Sequence, residues 1–217
     1  MQKKRMLVVG GSSLLGYKLL EYANDFELYS TYNKNPISFK EIESIKIDIT
    51  FEMDCKKILE LKPDIIVNTA AMTNVDYCEE HKEDAYNVNV KGAQNLANIA
   101  QHLGSKFIHI SSDAIFSGGK NSYTEDHETN PVNVYGKTKL ESESVNSIVS
   151  NCLILRPSVI FGFIPPKYNK TQDDSVKSMN FAMWVLKKLN EKQMLQVVDD
   201  QYNTCLLYTS PSPRDRG

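Results

Sequence analysis

Short apolar runs alternate along the chain with longer segments in which apolar residues recur every three or four positions. The short runs are nearly continuous, as expected for strands that are covered on both faces of a sheet. They predict strands over 5–10, 27–32, 44–49, 64–70, 106–111 and 152–158. The longer segments predict helices over 14–23, 52–61, 83–102 and 134–149. Strand–helix alternation of this kind is typical of the α/β class with a doubly wound parallel sheet, which is the predicted fold.

The pattern changes after Pro157. Residues 162–175 are polar and contain prolines, so they predict a long surface loop. An amphipathic helix is predicted over 176–192 and a short strand over 195–200. These elements indicate the beginning of a second, smaller part of the protein.

Composition narrows the choice of partners. The 217 residues are 41% hydrophobic and 24% charged, with a formal net charge of −2. A chain without a basic field is not expected to bind nucleic acid or an anionic membrane surface, and its apolar runs are too short to span a bilayer. The four cysteines and four histidines show no metal-ligand spacing, so we expect no metal site. Reduced thiols and a cytoplasmic location are the expectation.

The segment "VVGGSSLLG" joins the first predicted strand to the first predicted helix. Gly10, Ser13 and Gly16 occupy the three positions of a GxxGxxG loop. Such a loop needs a tight turn at its first position and close helix–strand packing at its third, so that backbone N–H groups at the helix N-terminus face a pyrophosphate. Ser13 departs from glycine, but it is small and its hydroxyl could donate to phosphate. The context predicts dinucleotide binding.

The second predicted strand ends in "STYNKNP", where an NAD site usually carries an acidic residue for the ribose 2′-hydroxyl. Asn33 and Lys34 stand there instead, and a cation among neutral donors suits the 2′-phosphate of NADPH; NADH is the alternative. The alternative for Lys34 is a solvated loop lysine. Asp48 follows the third strand and could accept a hydrogen bond from adenine or cap the helix that begins near Phe51.

Candidate chemistry lies at the carboxyl end of the fifth strand, the edge at which α/β proteins bind ligands. Ser112 follows this strand, and Tyr135 and Lys139 are i,i+4 neighbours on the next predicted helix. A carbonyl that accepts hydride needs a proton donor for its oxygen. An ammonium about 4 Å away contributes about 4 kcal/mol at an effective dielectric of about 20 and would lower the pKa of a phenol from about 10 to about 7. Ser112 would bond the substrate carbonyl, or alternatively cap backbone at the strand end.

The chain resembles the dTDP-4-dehydrorhamnose reductase family of extended short-chain dehydrogenase/reductases. The motifs that carry the resemblance cover nearly all of residues 5–204 and are "GGSSLLG", "IDIT", "VNTAAMTNVDYCEEH", "AYNVNVKGAQNLA", "HISSDAIFSG", "NPVNVYGKTKLESE", "LRPSVIFG", "MNFAMWV" and "VVDDQYNT". The resemblance implies an NADP-dependent oxidoreductase that reduces the 4-keto group of a nucleotide-linked 6-deoxyhexulose in deoxysugar biosynthesis.

The resemblance also implies residue roles. Tyr135 is the general acid, Lys139 lowers the pKa of Tyr135 and anchors the cofactor ribose, and Ser112 completes the catalytic set. The cofactor-binding positions are Gly10, Ser12, Ser13, Leu14, Leu15, Gly16, Asn33, Lys34, Asp48, Ile49, Ala71, Met72, Thr73, Ile110, Tyr135 and Lys139. Substrate positions are Ser112, Asp113 and Val159. Ala114 and Val159 stand where the family often has aromatic residues, so the identity of the sugar is left open. Whether the protein forms a homodimer or uses a divalent ion such as Mg²⁺ is also left open.

Two other functions share these features. A nucleotide-sugar epimerase or dehydratase has the same loop and Tyr/Lys pair. A regulatory subunit like that of methionine adenosyltransferase resembles the same family and would have no reductase activity.

Three segments are expected on this basis. Residues 1–161 form the NADP-binding Rossmann domain, and 162–204 begin an incomplete substrate-binding part. Residues 205–217, "CLLYTSPSPRDRG", break the family pattern and read as the translation of a transposase-type sequencing adapter. We therefore expect residues 205–217 to be a non-native tail, which resequencing from intact DNA would check. We also expect a truncated product that binds NADPH weakly and turns over poorly, because substrate positioning supplies much of the rate.

Overall fold

A six-stranded parallel sheet forms the centre of the molecule. The computed structural model describes residues 3–120, 122–164, 181–197 and, as backbone, 205–207. The strands are β1 (Arg5–Val9), β2 (Glu27–Tyr32), β3 (Glu43–Lys46), β4 (Ile65–Asn68), β5 (Lys106–Ile110) and β6 (Cys152–Leu155). Their order is β3-β2-β1-β4-β5-β6, the doubly wound order of dinucleotide-binding folds. The predicted fold class is confirmed.

Both faces of the sheet are covered, which explains the continuous apolar runs. Alternate residues of β1 enter two different cores: Leu7 and Val9 pack on one face, Met6 and Val8 on the other. The first core also contains Phe107 of β5, and the second contains Leu20 from the first helix.

Helices connect the strands at both faces. They are α1 (Leu14–Tyr22), α2 (Glu52–Cys55), α3 (Ile58–Leu61), α4 (Val75–Glu80), α5 (Lys82–Tyr86), α6 (Gly92–Leu103) and α7 (Val134–Ser142). A π-helical turn, Asn87–Lys91, joins α5 to α6 without a break, and a 3-10 turn, Glu143–Ser147, extends α7. The helix predicted over 52–61 is divided into α2 and α3, and α4 was not predicted.

The region after β6 differs from its prediction. A strand β7 (Val159–Phe161) pairs in parallel with β8 (Cys205–Leu207), where the sequence predicted no element. Helix α8 (Phe181–Asn190) lies within the predicted helix 176–192, of which 176–180 are outside the described residues. The predicted strand 195–200 is wrong for 195–197, which are irregular, while 198–200 are not described. In the predicted loop 162–175, residues 162–164 have no regular secondary structure, and 165–175 are outside the residues that the structure describes. The origin of residues 205–217 stays a prediction.

Candidate active site

The turn between β1 and α1 is built around Gly10, whose φ is +80°. A Cβ there would lie 2.9 Å from the backbone nitrogen of Ala70, so the left-handed conformation and the close approach to the next strand both require glycine. A Cβ on Gly16 would meet the carbonyl oxygen of Gly10. The predicted tight turn and close helix–strand packing are therefore present, and the first turn of α1 presents its N–H groups at the carboxyl edge of the sheet.

Ser13 has a different partner from the one expected. Its Oγ caps α1 by accepting from the Gly16 N–H at 3.0 Å and lies 2.9 Å from Oγ1 of Thr69. Because the Thr69 hydroxyl donates to the carbonyl of Val9 at 2.8 Å, Ser13 is the donor to Thr69. Its proton is directed to Thr69, so the donors that the turn offers to a phosphate are backbone N–H groups. Ser12, Leu14 and Leu15 are partly buried on the same turn.

The ends of β2 and β3 lie beside this turn. Asn33 and Lys34 directly follow β2 and are exposed. Asp48 accepts from both the backbone N–H of Thr50, at 3.0 Å, and the Thr50 hydroxyl, at 2.7 Å. It thus closes the turn that leads into α2 and does not cap the helix itself, since its carboxylate bonds to Thr50, which precedes the cap position Phe51. Ile49 is buried behind it.

The segment after β4 is held by Asn89, a residue that the sequence analysis did not select. The Asn89 side chain accepts from the Met72 N–H at 2.8 Å and donates to the Met72 carbonyl at 3.1 Å. It also donates to Oγ1 of Thr138 at 3.0 Å, and the Thr138 hydroxyl donates to the carbonyl of Tyr135. Asn89 therefore joins the candidate cofactor segment, which contains Ala71, Met72 and Thr73, to α7.

Ser112 stands immediately after β5, at 8% exposure. Its Oγ accepts from the Ala114 N–H at 3.1 Å and donates to the Asp113 carboxylate at 3.3 Å. The capping role expected for Ser112 is therefore present, and its hydroxyl also lies beside Tyr135. Helix α7 packs against this turn, because a Cβ on Gly136 would meet the carbonyl oxygen of Ala114.

Lys139 is 2% exposed, and its Nζ donates to the carbonyl of Ile110 at 2.7 Å. Burial lowers the pKa of its ammonium to about 8, although Glu143 acts in the opposite direction. Since Ile110 ends β5 two residues before Ser112, the contact places Lys139 directly at the strand end. The structure thus places Tyr135 beside Ser112, and the Lys139 ammonium on the carbonyl two residues before Ser112.

The pKa of Tyr135 corrects one expectation. Burial of the phenol raises its pKa above the ordinary value, the Ser112 hydroxyl beside it lowers it, and the Asp113 carboxylate raises it further. The predicted shift to about 7 by Lys139 is therefore wrong, because the ammonium is directed to the Ile110 carbonyl. A phenol with a raised pKa is protonated at neutral pH and is a weaker acid than an ordinary tyrosine.

Several residues that organise the site escaped the sequence analysis: Asn68, Thr69, Asn89, His109, Thr138 and Ser142. Asn89 had a signal, because it lies four residues after Ala85 and four before Ala93, both buried on the apolar side of the helix. His109 had one as well, since it shares a face of β5 with Phe107. A polar residue in an inward position is usually hydrogen bonded.

Within the described part of the chain, no group of three or more His, Cys, Asp or Glu residues is placed to hold a metal ion. No helix among the described residues has the length and apolar character needed to cross a bilayer.

The sheet order and the glycine turn define a Rossmann-type α/β fold. The chain belongs to the family described as RmlD substrate binding domain, whose model matches residues 4–205.

Known relatives agree with this family. The chain is 33% identical to dTDP-4-dehydrorhamnose reductase of Aggregatibacter actinomycetemcomitans over 91% of its own length and 61% of that protein. It is 30% identical to methionine adenosyltransferase 2 subunit beta of Bos taurus, over 88% of this chain and 64% of the relative. Its fold matches the crystal structure of dTDP-4-dehydrorhamnose reductase from Bacillus anthracis in complex with NADP, with a TM-score of 0.71, 27% identity, and coverage of 88% of this chain and 61% of that one. The chain thus spans less than two thirds of these relatives.

Proposed function

We propose that this protein reduces the 4-keto group of a nucleotide-linked 6-deoxyhexulose with NADPH. One observation supports the proposal: at the carboxyl end of β5, Tyr135 lies beside Ser112 and Lys139, from the same helix as Tyr135, is fixed on the Ile110 carbonyl, in a chain of this family. The NADP named for the Bacillus anthracis structure supports the cofactor.

The chain's own residues fit such a cofactor. The tight turn at Gly10, which packs too closely on Ala70 to admit a Cβ, and the N–H groups of α1 suit a pyrophosphate. The exposed Lys34 after β2 suits a 2′-phosphate, and the buried Lys139 suits a ribose hydroxyl. When bound, NADPH would supply the hydride. The other proposed cofactor contacts are Ser12, Ser13, Leu14, Leu15, Gly16, Asn33, Asp48, Ile49, Ala71, Met72, Thr73, Ile110 and Tyr135.

The proposed proton donor is Tyr135. Its raised pKa keeps the phenol protonated at neutral pH, and the oxygen of a reduced carbonyl is far more basic than a phenolate, so proton transfer is downhill. Ser112 lies beside the phenol and would bond the same carbonyl oxygen, while Asp113 and Val159 would face the sugar. Asp113 is well placed for this role, since its backbone N–H is fixed by the Pro157 carbonyl at 3.1 Å.

The test is NADPH oxidation by this chain with a dTDP-4-keto-6-deoxy sugar, under single-turnover conditions with protein in excess. We expect oxidation that depends on the sugar, and a loss of about 100-fold or more in Tyr135→Phe, which removes the proton donor. Lys137→Ala is the matched control, because Lys137 lies exposed on the same helix. Equal rates for Tyr135→Phe and the unsubstituted chain would refute the assignment.

A second candidate is a regulatory subunit, which the relationship to methionine adenosyltransferase 2 subunit beta favours. It predicts binding to a methionine adenosyltransferase catalytic subunit and a change in that enzyme's activity, both unaffected by Tyr135→Phe. The reductase proposal predicts no such binding.

Further proposals concern the setting of the protein. Residues 1–161 would form the cofactor-binding domain and 162–204 the beginning of the substrate-binding part. A cytoplasmic location is proposed on the basis of the free thiols Cys55, Cys78 and Cys152. The proposed binding partner is a nucleotide sugar, and no nucleic acid or membrane partner is proposed. A measurement of the mass in solution would test for a homodimer.

A further inference from the structure

A chain of buried polar groups runs from the sheet to α7. It consists of Asn68 on β4, His109 on β5, and Ser142 and Lys139 on α7, with exposures of 1%, 1%, 0% and 2%. Asn68 Nδ2 lies 3.2 Å from His109 Nδ1, His109 Nε2 lies 2.9 Å from Ser142 Oγ, and the Ser142 hydroxyl donates to the Lys139 carbonyl at 2.6 Å.

The direction of these hydrogen bonds follows from the groups at the two ends. The amide nitrogen of Asn68 can only donate, so Nδ1 of His109 must accept and carries no proton. The Ser142 proton is committed to the Lys139 carbonyl, so its oxygen accepts from His109 Nε2. His109 is therefore a neutral imidazole with its proton on Nε2. Burial, together with the nearby Lys139 charge, lowers its pKa to about 3, in agreement with that state.

We infer that His109 is a positioning residue for Lys139, which it holds through Ser142 while the ammonium is fixed at the Ile110 carbonyl. The inference deepens the proposed function and rests on it for the role of Lys139. Two contacts from adjacent positions on β5 fix the two ends of one lysine: His109 acts on its backbone and Ile110 on its Nζ. The lysine side chain is thereby held across the end of the strand, with its ammonium on the carbonyl that lies two residues before Ser112.

Packing alone does not account for histidine at this position. The ring stacks on Phe107 with centroids 6.1 Å apart, a contact that an apolar side chain could also make. An apolar residue would, however, leave the Asn68 amide and the Ser142 hydroxyl without their partner. Both donor and acceptor functions of the imidazole are used, which is the condition under which a buried polar residue specifies one arrangement.

The first measurement is independent of any activity. Nitrogen NMR of the full chain with labelled histidine should show His109 as the Nε2–H form, without protonation as the pH falls from neutrality toward its pKa of about 3. An Nδ1–H tautomer, or titration near the ordinary value of about 6.5, would overturn the inference.

The second measurement uses matched variants. His109→Leu keeps bulk and removes both hydrogen bonds, whereas His109→Gln retains one acceptor and one donor at a similar separation. We expect His109→Leu to weaken NADPH binding about tenfold, the factor that one net hydrogen bond gives, and His109→Gln to restore it. The Lys139 ammonium, followed by NMR, should titrate at about 8 in the unsubstituted chain and shift toward 10.5 in His109→Leu as the side chain is released.

Ser142→Ala provides the same test if His109→Leu does not fold. The double variant of His109→Leu and Ser142→Ala should bind NADPH no more weakly than the more affected single variant, because both changes break the same chain of hydrogen bonds. Unchanged Lys139 titration and unchanged NADPH affinity in these variants would overturn the inference while leaving the proposed function intact. If the unsubstituted chain binds no NADPH, the proposed function fails, and the His109 tautomer and Lys139 titration still decide the positioning role.

Discussion

Burial acts in opposite directions on Tyr135 and Lys139, which are one helical turn apart on α7. It raises the pKa of the phenol and lowers that of the ammonium to about 8. The phenol therefore keeps its proton throughout the neutral range, while the lysine loses its charge just above it. At neutral pH, therefore, Tyr135 is protonated, and Lys139 carries a positive charge that is lost as the pH rises through about 8.

A pH dependence of NADPH binding follows from Lys139. The ammonium is charged below pH 8 and neutral above it, so the affinity for NADPH should fall as the pH rises through about 8. Fluorescence titrations with NADPH on either side of this pH measure the effect. In Lys139→Met the affinity should be lower and lack this step; a step of equal size in that variant would contradict the role of Lys139.

Thr69 fixes the glycine turn to β4 by bonding Ser13 and the Val9 carbonyl. In Thr69→Val the hydroxyl is lost and Ser13 has no acceptor, so the free energy of unfolding should fall by about 1 kcal/mol. Urea denaturation measures the change. Thr69→Ser retains the hydroxyl and should be close to the unsubstituted chain; equal losses in both variants would show that the methyl group, not the hydroxyl, matters.

The proposed reacting side chains could be selected from the sequence because their spacing is local, whereas the groups that hold them could not. Tyr135 and Lys139 are read from one helical turn, and Ser112 from one strand end. Thr69 acts on Ser13, 56 residues away, and His109 acts on Ser142, 33 residues away, so no spacing in the sequence connects them. The pKa of Tyr135 was mispredicted for the same reason, since it depends on burial and on where the Lys139 ammonium is directed.

Helix α7 is the element on which the site depends, because it carries both Tyr135 and Lys139. Asn133 caps it by accepting from the Gly136 N–H at 2.7 Å, and Glu79 of α4 accepts from the Val134 N–H at 2.7 Å. Gly136 allows the helix to touch the turn after Ser112. The helix is thus positioned at its first turn and, through Ser142, at its last.

Gly136→Ala tests this contact. The added methyl group would overlap the Ala114 carbonyl, so α7 must move, and we expect a loss of about 1–3 kcal/mol in the free energy of unfolding. NADPH-dependent reduction should fall as well, since Tyr135 moves with the helix. Lys137→Ala, on the exposed side, should change neither quantity. Unaltered stability in Gly136→Ala would mean that the contact is easily relaxed.

Elements with strong apolar patterns were predicted well, and interruptions within them were not. The six main strands were found because covered strands are continuously apolar. Helix 83–102 was expected to be uniform, but α5, the π-helical turn and α6 share it, and Asn89, which bonds Met72, lies in the π-helical turn. Helix α4 was missed because only Cys78 of its six residues is buried.

At the scale of the whole molecule, one buried imidazole links stability to pH. The pKa of His109 is lowered to about 3, whereas in the unfolded chain it would be about 6.5. Between these values the unfolded state binds a proton that the folded state does not, so stability is lost as the pH falls below about 6.5, by about 1.4 kcal/mol per pH unit from this group.

Urea denaturation at a series of pH values measures this slope. His109→Gln lacks the titrating group and should lose stability less steeply over the same range, although carboxylates contribute to both proteins. Identical slopes would show that His109 is protonated in the folded state, against the hydrogen-bond directions of Asn68 and Ser142.

The π-helical turn marks a place at which the chain can vary in length. Such a turn holds one residue more than an α-helical turn, and each residue of a helix advances it by about 100°. Because the wider turn absorbs its extra residue locally, deleting one residue from 87–91 would convert it into an ordinary α-helical turn and leave Ala93 and Leu96 of α6 packed against the sheet. A deletion within α6 itself has no such turn to absorb it and would rotate the residues beyond it by about 100°. A one-residue gap in the connection between β4 and β5 is therefore expected at 87–91 when more distant sequences are aligned.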